Sequence, residues 1–186
     1  MRVIAGKAKG HKLKTIEGLE TRPTTDRIKE TLFNMIAFDL PQCHFLDLFS
    51  GSGAIGIEAL SRGAAECIFV EKSKMACDII TENLRHTKLQ QNAVLLQKDV
   101  FEALYLLKQQ KKEFDIIFLD PPYHMGIAEP VCDKIVEYGL LKKEGYVIWE
   151  RGAGVDSMPI SNFNIIKEKN YKTTVMTFLA LEESEI

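Results

Sequence analysis

The sequence predicts an α/β protein with a doubly wound sheet of five parallel strands, followed by an antiparallel hairpin at the C-terminal end. Two observations lead to this fold class. Five short apolar runs alternate with segments of helical periodicity between residues 43 and 150, and such alternation favours parallel strands joined by helices. Two further strand-like segments are separated by only Asn170, Tyr171 and Lys172, which favours a hairpin.

The first fifteen residues predict a small, weakly packed hairpin or arm. Its apolar residues are few, and Gly6 and Gly10 interrupt them. The stretch has no acidic residue but carries five basic ones: Arg2, Lys7, Lys9, Lys12 and Lys14. A basic arm on a chain of net charge −2 suggests a local surface for phosphate, although an ordinary solvated lysine-rich segment is the competing interpretation.

A helix is expected after the arm, because Thr24, Thr25 or Asp26 can cap its first turn. Apolar residues follow at helical spacing: Ile28, Leu32, Met35 and Ile36. The helix should end near Asp39, before Pro41.

The alternating strands and helices begin after Pro41. Strands are predicted at 43–48, 66–70, 93–97, 114–119 and 145–150, helices at 53–61, 73–86, 100–108 and 128–138, and hairpin strands at 165–169 and 173–181. Short connections leave no linker and no second core. We therefore expect one domain over residues 1–186, with the arm at 1–20, the first helix within 21–40 and the core at 41–186.

Composition narrows the class of protein further. The chain has 186 residues, of which 46% are hydrophobic and 27% charged, as in ordinary globular domains. No apolar run approaches the roughly 20 residues that span a membrane, and the N-terminus lacks the apolar stretch of a signal peptide, so a cytoplasmic protein is expected. The cysteines and histidines are scattered, which predicts buried free thiols and no metal site.

A glycine-rich turn follows the first core strand. Gly51, Gly53 and Gly56 match the spacing of a dinucleotide-binding fingerprint, in which glycines allow a tight strand-to-helix turn and bring bare amides to a ligand. The motif indicates a ligand that contains a nucleoside, but it does not say which one. A purely structural turn is the alternative.

Three acidic residues stand where such a ligand would need acceptors. Glu71 ends the second strand, twenty residues after Gly51, where a carboxylate can accept hydrogen bonds from both ribose hydroxyls. Asp99 follows the third strand and suits either an adenine amino group or the cap of the next helix. Asp47 precedes the glycine turn and can bind a ligand amino group or the backbone of the loop.

The fourth strand ends in Asp120-Pro121-Pro122-Tyr123, which we predict to be the reaction centre. The prolines fix two φ angles and remove two backbone donors, so they hold an acid, a carbonyl and an aromatic ring in a stiff turn. An exocyclic base amine is a poor nucleophile, and two acceptors can pull its nitrogen towards tetrahedral geometry. The Asp120 side chain and the Pro121 carbonyl suit this task, and Tyr123 can stack on the base.

This turn distinguishes between the two candidate cofactors that the glycine turn and Glu71 both allow. NAD and S-adenosylmethionine fit those features almost equally. Hydride transfer has no evident use for Asp120-Pro121-Pro122-Tyr123, whereas methylation of a base amine has. An NAD oxidoreductase is therefore the least favoured interpretation.

Together these motifs resemble the class I S-adenosylmethionine-dependent amino-methyltransferases, which have a Rossmann-like seven-stranded sheet. The N-terminal stretch is more specific. Arg2-Val3-Ile4-Ala5-Gly6, Lys9-Gly10, Leu13, Arg22-Pro23-Thr24 and the segment Arg27 to Asn34 resemble the RsmD family, which methylates the N2 amine of a guanine in bacterial 16S rRNA. The resemblance extends from Arg2 to about Leu181.

The resemblance implies roles for individual residues. S-adenosylmethionine would contact a set of residues around the first three strands: Asp47, Phe49, Gly51, Ser52, Gly53, Glu71, Lys72, Asp99 and Val100. The 16S rRNA of the small ribosomal subunit would contact a second set: Arg2, Lys7, Lys9, Lys12, Arg22, Thr24 and Tyr123. Arg22 also suits a structural role that braces the helix, and Glu150 can face the pocket or make a structural hydrogen bond.

Two alternatives keep part of this interpretation. Adenine-N6 DNA methyltransferases share the Asp-Pro-Pro-Tyr motif, but this chain has no insertion large enough to recognise a DNA sequence. An RNA-binding assembly factor that keeps a cofactor pocket without turnover is the other.

Overall fold

The fold is taken from a computed structural model that describes residues 1–15, 26–122, 126–154 and 160–182. Five α-helices and seven strands lie in these ranges, and the chain divides into two compact units, Met1–Asp99 and Val100–Ile186. The prediction of a single domain over 1–186 stays a prediction.

The first unit combines the N-terminal arm with three helices and three parallel strands. In chain order these are α1 (Asp26–Met35), β1 (His44–Leu48), α2 (Ala54–Ser61), β2 (Glu66–Glu71), α3 (Lys74–Thr87) and β3 (Ala93–Gln97). β2 lies between β1 and β3 and pairs in parallel with both. Most of β1 and β2 is buried, because their side chains are apolar on both faces of the sheet.

Local signals in the sequence set the ends of these helices. Ser73 caps α3, since its hydroxyl accepts a hydrogen bond from the Ala76 N–H, and the left-handed Lys88 ends the helix. α1 ends at Met35, four residues before the predicted end. The reason is a tight turn in which the Asp39 N–H donates to the Ile36 carbonyl at 3.0 Å instead of continuing the helix.

The arm is a hairpin, as predicted, but it is not weakly packed. Arg2 and Lys12 form an antiparallel bridge, and the Val3 N–H donates to the His11 carbonyl at 2.9 Å. Val3 and Ala8 are each only 1% exposed. The basic side chains of the arm point to solvent while its few apolar side chains and its backbone are held by the rest of the unit.

The second unit contains two helices and four strands: α4 (Val100–Gln109), β4 (Phe114–Leu119), α5 (Ala128–Glu137), β5 (Leu141–Gly152), β6 (Phe163–Asn170) and β7 (Thr174–Leu181). β4 and β5 are parallel, and β7 pairs antiparallel with both β5 and β6. The predicted C-terminal hairpin is therefore confirmed. β7 is almost wholly buried, whereas β6 exposes every residue after Phe163.

β5 is twice as long as the predicted strand at 145–150. Its first residue, Leu141, pairs with Phe114 before an irregularity in the register, and its last two residues continue the ladder with β7. Trp149, the one tryptophan of the chain, lies in this strand and is 8% exposed. The Arg151 guanidinium lies 5.8 Å from the centre of its ring.

Two further findings concern composition. All four cysteines are buried free thiols, as predicted, and burial raises the pKa of Cys132 to about 12. Among the described residues, no helix has the length and apolar character needed to cross a bilayer.

Candidate cofactor and active site

The turn after β1 has a strained backbone. Phe49, Gly51 and Gly53 have φ angles of 61°, 55° and 77°, all in the left-handed region. Glycine adopts this conformation readily, but a phenylalanine there is uncommon and is typical of functional turns. A Cβ on Gly51 would meet nothing within 4 Å, so the backbone here borders open space.

Hydrogen bonds from buried polar groups of the first unit fix the backbone around this turn. Asp47 is 1% exposed, and its Oδ2 accepts from the Gly56 N–H at 3.0 Å, one of the unpaired donors at the start of α2. The Ser50 hydroxyl donates to the Asp47 carbonyl at 2.7 Å and accepts from the Val70 N–H at 3.0 Å. Of the two roles open to Asp47, the structure shows the backbone contact. The sequence analysis missed Ser50.

Glu71 lies at the end of β2 and holds the other side of the turn. Its Oε2 accepts from the Gly51 N–H at 3.0 Å, and its Oε1 accepts from the Ser73 N–H at 2.8 Å. A carboxylate has about four acceptor positions, so both oxygens retain lone pairs. Glu71 can therefore fix the glycine turn and still accept hydrogen bonds from the two hydroxyls of a ribose.

Gly56 allows α2 to pack closely on β2. A Cβ at this position would lie 2.3 Å from a ring carbon of Phe69 and 2.6 Å from the Cys67 sulfur. Close helix–strand packing is the task of the third glycine in a nucleotide-binding fingerprint. The turn thus offers open space beside its backbone and a ribose acceptor, both of which a cofactor with an adenosine portion, such as S-adenosylmethionine, requires.

The other predicted cofactor residues lie near the ends of β2 and β3. Ser52 is part of the turn, between the two left-handed glycines. Lys72 is exposed directly after β2, and Asp99 is exposed two residues after the end of β3. Val100, the first residue of α4, is buried and belongs to the second unit.

The predicted reaction centre follows β4 in the second unit. Phe114 and the last four residues of this strand are buried, Asp120 is half-buried, Pro121 is buried and Pro122 is exposed. Burial raises the pKa of the Asp120 carboxyl to about 7, because desolvation disfavours the charged form. Tyr123 lies outside the described residues. Glu150, in β5, is buried.

The arm is attached to α2 by a buried carboxylate that the sequence analysis missed. Glu58 accepts from the Ile4 N–H at 2.8 Å and from the Ala5 N–H at 3.0 Å. It also pairs with Lys29 Nζ at 3.1 Å and with Arg62 Nε at 2.8 Å. Glu58 is the only charged residue of α2, whose other residues up to Leu60 are apolar, and Lys29 shares a helix face with Leu32. Both were therefore visible as exceptions to their patterns.

Most of the predicted RNA-binding residues lie on this arm. The Arg2 side chain pairs with Asp26 at 3.6 Å, and three lysines are exposed: Lys7, Lys9 and Lys12. Arg22 and Thr24 lie outside the described residues. The structure therefore brings one group of predicted residues together around the glycine turn and a second group along the arm.

Comparisons with known proteins identify a family and several relatives of this chain. A family model described as "Conserved hypothetical protein 95" matches residues 1–180. The chain is 41% identical over 156 residues to YlbH of Bacillus subtilis, provisionally named an rRNA methyltransferase, with 84% of this chain and 85% of that protein covered. It is 36% identical over 173 residues to Ribosomal RNA small subunit methyltransferase D of Haemophilus influenzae, with 91% and 88% covered.

A solved structure gives the same result for the fold. The Escherichia coli protein yhhF, provisionally described as a methyltransferase, has 33% identity and a TM-score of 0.84, with 99% of both chains covered. The expected α/β fold, with seven strands and a C-terminal antiparallel hairpin, is thereby confirmed as the class I methyltransferase fold. The chain therefore belongs to the conserved hypothetical protein 95 family of RsmD-like proteins and is an S-adenosylmethionine-dependent methyltransferase.

Proposed function

We propose that this enzyme methylates the N2 amine of a guanine in bacterial 16S rRNA, within an assembled or assembling small ribosomal subunit in the cytoplasm. The observation that carries the proposal is the turn after β4, where a half-buried acid precedes two prolines. Relatives named Ribosomal RNA small subunit methyltransferase D, such as the one from Haemophilus influenzae at 36% identity, support the choice of RNA.

The N2 amine of guanine needs help to act as a nucleophile, since its lone pair is delocalised into the ring. In our proposal, the Asp120 carboxylate and the Pro121 carbonyl each accept a hydrogen bond from one of its two N–H groups. The nitrogen then becomes more tetrahedral, and its lone pair points away from the ring. The prolines hold the acceptors in place, so little reorganisation is needed at the moment of reaction.

When bound, S-adenosylmethionine supplies a methyl group on a positively charged sulfur. Asp120 and the Pro121 carbonyl would hold the amine with its lone pair towards that methyl group, and the proton that the nitrogen releases would pass to solvent or to the Asp120 carboxylate, which already accepts a hydrogen bond from it. No strong base is required, because the leaving group is neutral. We propose that Gly51 and Gly53 lie against the methionine portion and that Glu71 holds the ribose. Asp99 and Val100 are proposed to lie at the adenine.

The raised pKa of Asp120 gives the mechanism a testable pH dependence. At a pKa of about 7, a large part of this carboxyl is protonated at neutral pH. The protonated form is the weaker acceptor for an N–H group, so activity should rise as the pH increases through neutrality.

The exposed lysines of the arm provide the proposed contact with rRNA phosphates, and Tyr123 is proposed to stack on the target base. With a net charge of −2, the chain has little overall attraction for naked RNA. An assembled or partly assembled particle, whose shape adds specificity, is therefore the proposed substrate.

The test uses small ribosomal subunits from a strain that lacks this gene. They are incubated with the enzyme and with S-adenosylmethionine that carries a tritiated methyl group, and the labelled nucleosides are then identified. The proposal expects N2-methylguanosine in 16S rRNA. Label in DNA adenine, or in another nucleoside of the rRNA, would contradict it, and no label with any substrate would favour a non-catalytic assembly factor.

Two variants locate the chemistry. Asp120→Ala should lower kcat by about 10²–10³ and leave S-adenosylmethionine binding near wild type. Asp115→Ala is the matched control, because Asp115 lies on the same strand and pairs with Lys142 at 2.9 Å, away from the turn. Equal rates for the two variants would show that the turn after β4 is not the reaction centre.

A further inference from the structure

Asn83, on α3, connects the arm to the glycine turn. The residue is 1% exposed, and its side chain makes three hydrogen bonds to segments distant in sequence. Oδ1 accepts from the Lys14 N–H at 2.8 Å, and Nδ2 donates to the Lys14 carbonyl at 3.0 Å. Nδ2 also donates to the Ser52 carbonyl at 3.0 Å.

A primary amide has two N–H donors, and Asn83 uses one for each segment. The pair of hydrogen bonds with Lys14 resembles one rung of a β-ladder, so it fixes the end of the arm in both position and direction. The remaining donor fixes Ser52. Aspartate at this position would keep an acceptor for the Lys14 N–H but would lose both donors, and alanine would lose all three hydrogen bonds.

Ser52 is a sensitive point of the turn. Its carbonyl belongs to the peptide bond that carries the Gly53 N–H, and this N–H donates to the Ser50 carbonyl at 2.7 Å. Gly51 and Gly53, on either side, are conformationally permissive. A hydrogen bond to the Ser52 carbonyl therefore selects one orientation of the peptide in a segment that glycine would otherwise leave free to change.

Other contacts bring the arm to the same helix. Lys14 Nζ forms an ion pair with Glu82, and the rings of His11 and His86 meet edge to face at 5.2 Å. Both ion-paired side chains are more than half exposed, so this pair contributes little. Among these links between the arm and α3, the one through Asn83 is buried and also reaches the glycine turn.

We propose that Asn83 is a positioning residue that couples binding of rRNA at the arm to binding of cofactor at the glycine turn. The inference rests on the function proposed above. An arm that is held by rRNA keeps Lys14 against Asn83, which keeps Ser52 in the cofactor-binding orientation. Linkage makes the effect reciprocal, so cofactor should tighten rRNA binding by the same factor, within the typical range of about 5 to 150.

The experiment measures this factor directly. The affinity of the full-length enzyme for S-adenosylhomocysteine is determined without and with saturating small subunits from the strain that lacks the gene. The affinity for those subunits is then determined without and with S-adenosylhomocysteine. Wild type should show equal factors of about 5 or more in both directions. Asn83→Ala and Asn83→Asp should bring both factors close to 1.

Thr87→Val is the matched control. Thr87 is also buried on α3, and its hydroxyl donates to carbonyls of the same helix, Asn83 at 2.8 Å and Leu84 at 3.2 Å. This variant should keep the wild-type factor even if its thermal midpoint falls. If an Asn83 variant loses stability as Thr87→Val does but keeps the factor, Asn83 is only a structural contact and the proposal is wrong.

Failure of the two proposals can be told apart. If wild type methylates guanine in small subunits but its coupling factor is 1, the inference about Asn83 fails while the proposed function stands. If wild type transfers no methyl group to these particles, the proposed function fails, and the role of Asn83 in rRNA coupling fails with it. If Asn83→Ala does not fold, the wild-type factor and Asn83→Asp still decide the matter.

Discussion

Replacing Glu58 with alanine should loosen the attachment of the arm and strongly destabilise the fold. Glu58 and Lys29 have side chains with no exposed surface, and Nζ and Oε2 lie 3.1 Å apart. Alanine would leave the Lys29 cation buried without its carboxylate partner, although Nζ would still donate to the Arg2 carbonyl, which lies 2.7 Å away. It would also remove the acceptor of the Ile4 and Ala5 amides. Breaking a buried ion pair from one side costs about 3–5 kcal/mol, which is the expected loss in free energy of unfolding.

Urea unfolding followed by far-ultraviolet circular dichroism measures this loss. With a slope of about 2 kcal/mol per molar urea, the midpoint should fall by about 1.5–2.5 M. Glu82→Ala is the control, because it removes an ion pair to the same arm from an exposed position. Its cost should stay below about 1 kcal/mol. Equal midpoints for the two variants would refute the argument from burial.

The pH dependence of the same variant gives a second test. Burial lowers the pKa of Lys29 from its ordinary 10.5, and the charge of Glu58 opposes this effect. Without Glu58, the folded state should hold Lys29 neutral at a lower pH than the unfolded state does. The unfolded state then binds more protons, so the stability of Glu58→Ala should rise with pH up to about 10.5 and recover part of the loss. A deficit independent of pH would mean that Lys29 finds another partner.

Five further predictions concern the site and the arm. Asp120→Ala should lower kcat by about 10²–10³, as loss of an oriented transition-state group does. Asp120→Asn should keep partial activity and lose the rise in rate near pH 7, and a retained rise would assign that titration to another group. Gly56→Ala should cost about 1–3 kcal/mol in a thermal or urea melt, since its Cβ would lie 2.3 Å from Phe69. Gly6→Ala should release the arm, since its φ is 81° and its Cβ would lie 1.9 Å from the Ser61 carbonyl, and faster hydrogen exchange in residues 3–8 would reveal this. Replacing Lys7, Lys9 and Lys12 by alanine should reduce the slope of log affinity against log salt for small subunits by about 2. The control replaces three exposed lysines of the second unit by alanine and should leave the slope unchanged: Lys111, Lys143 and Lys169.

The sequence predicted the helices and strands well where one periodicity dominated. β3 and β4 have the predicted bounds, and α2, α3 and α4 differ by one residue at one or both ends. β5 was underestimated, because Lys142, Lys143 and Glu144 break its apolar pattern although the ladder with β4 begins at Leu141. Pairing with a neighbouring strand decided the bounds there, and a single strand's own pattern does not contain that information.

In the site, too, local sequence signals predicted some residues, whereas residues that depend on distant partners were missed. The glycine turn and Glu71 were recognised because backbone conformation and ligand chemistry restrict those positions to few residue types. Glu58 and Asn83 were missed because their value depends on partners in the arm that lie 53 to 69 residues away in sequence. A polar residue on an apolar helix face reveals that some partner exists, but only the folded chain shows that the partner is the backbone of the arm.

The position of Trp149 allows its fluorescence to report whether the two units unfold together. As the one tryptophan, it restricts fluorescence excited at 295 nm to the second unit, whereas circular dichroism near 222 nm follows helices of both units. Coincident denaturation curves from the two signals would indicate that residues 1–186 unfold in a single step. Separated curves would show that the half with the glycine turn and the half with the Asp-Pro-Pro-Tyr turn can lose their structure one at a time.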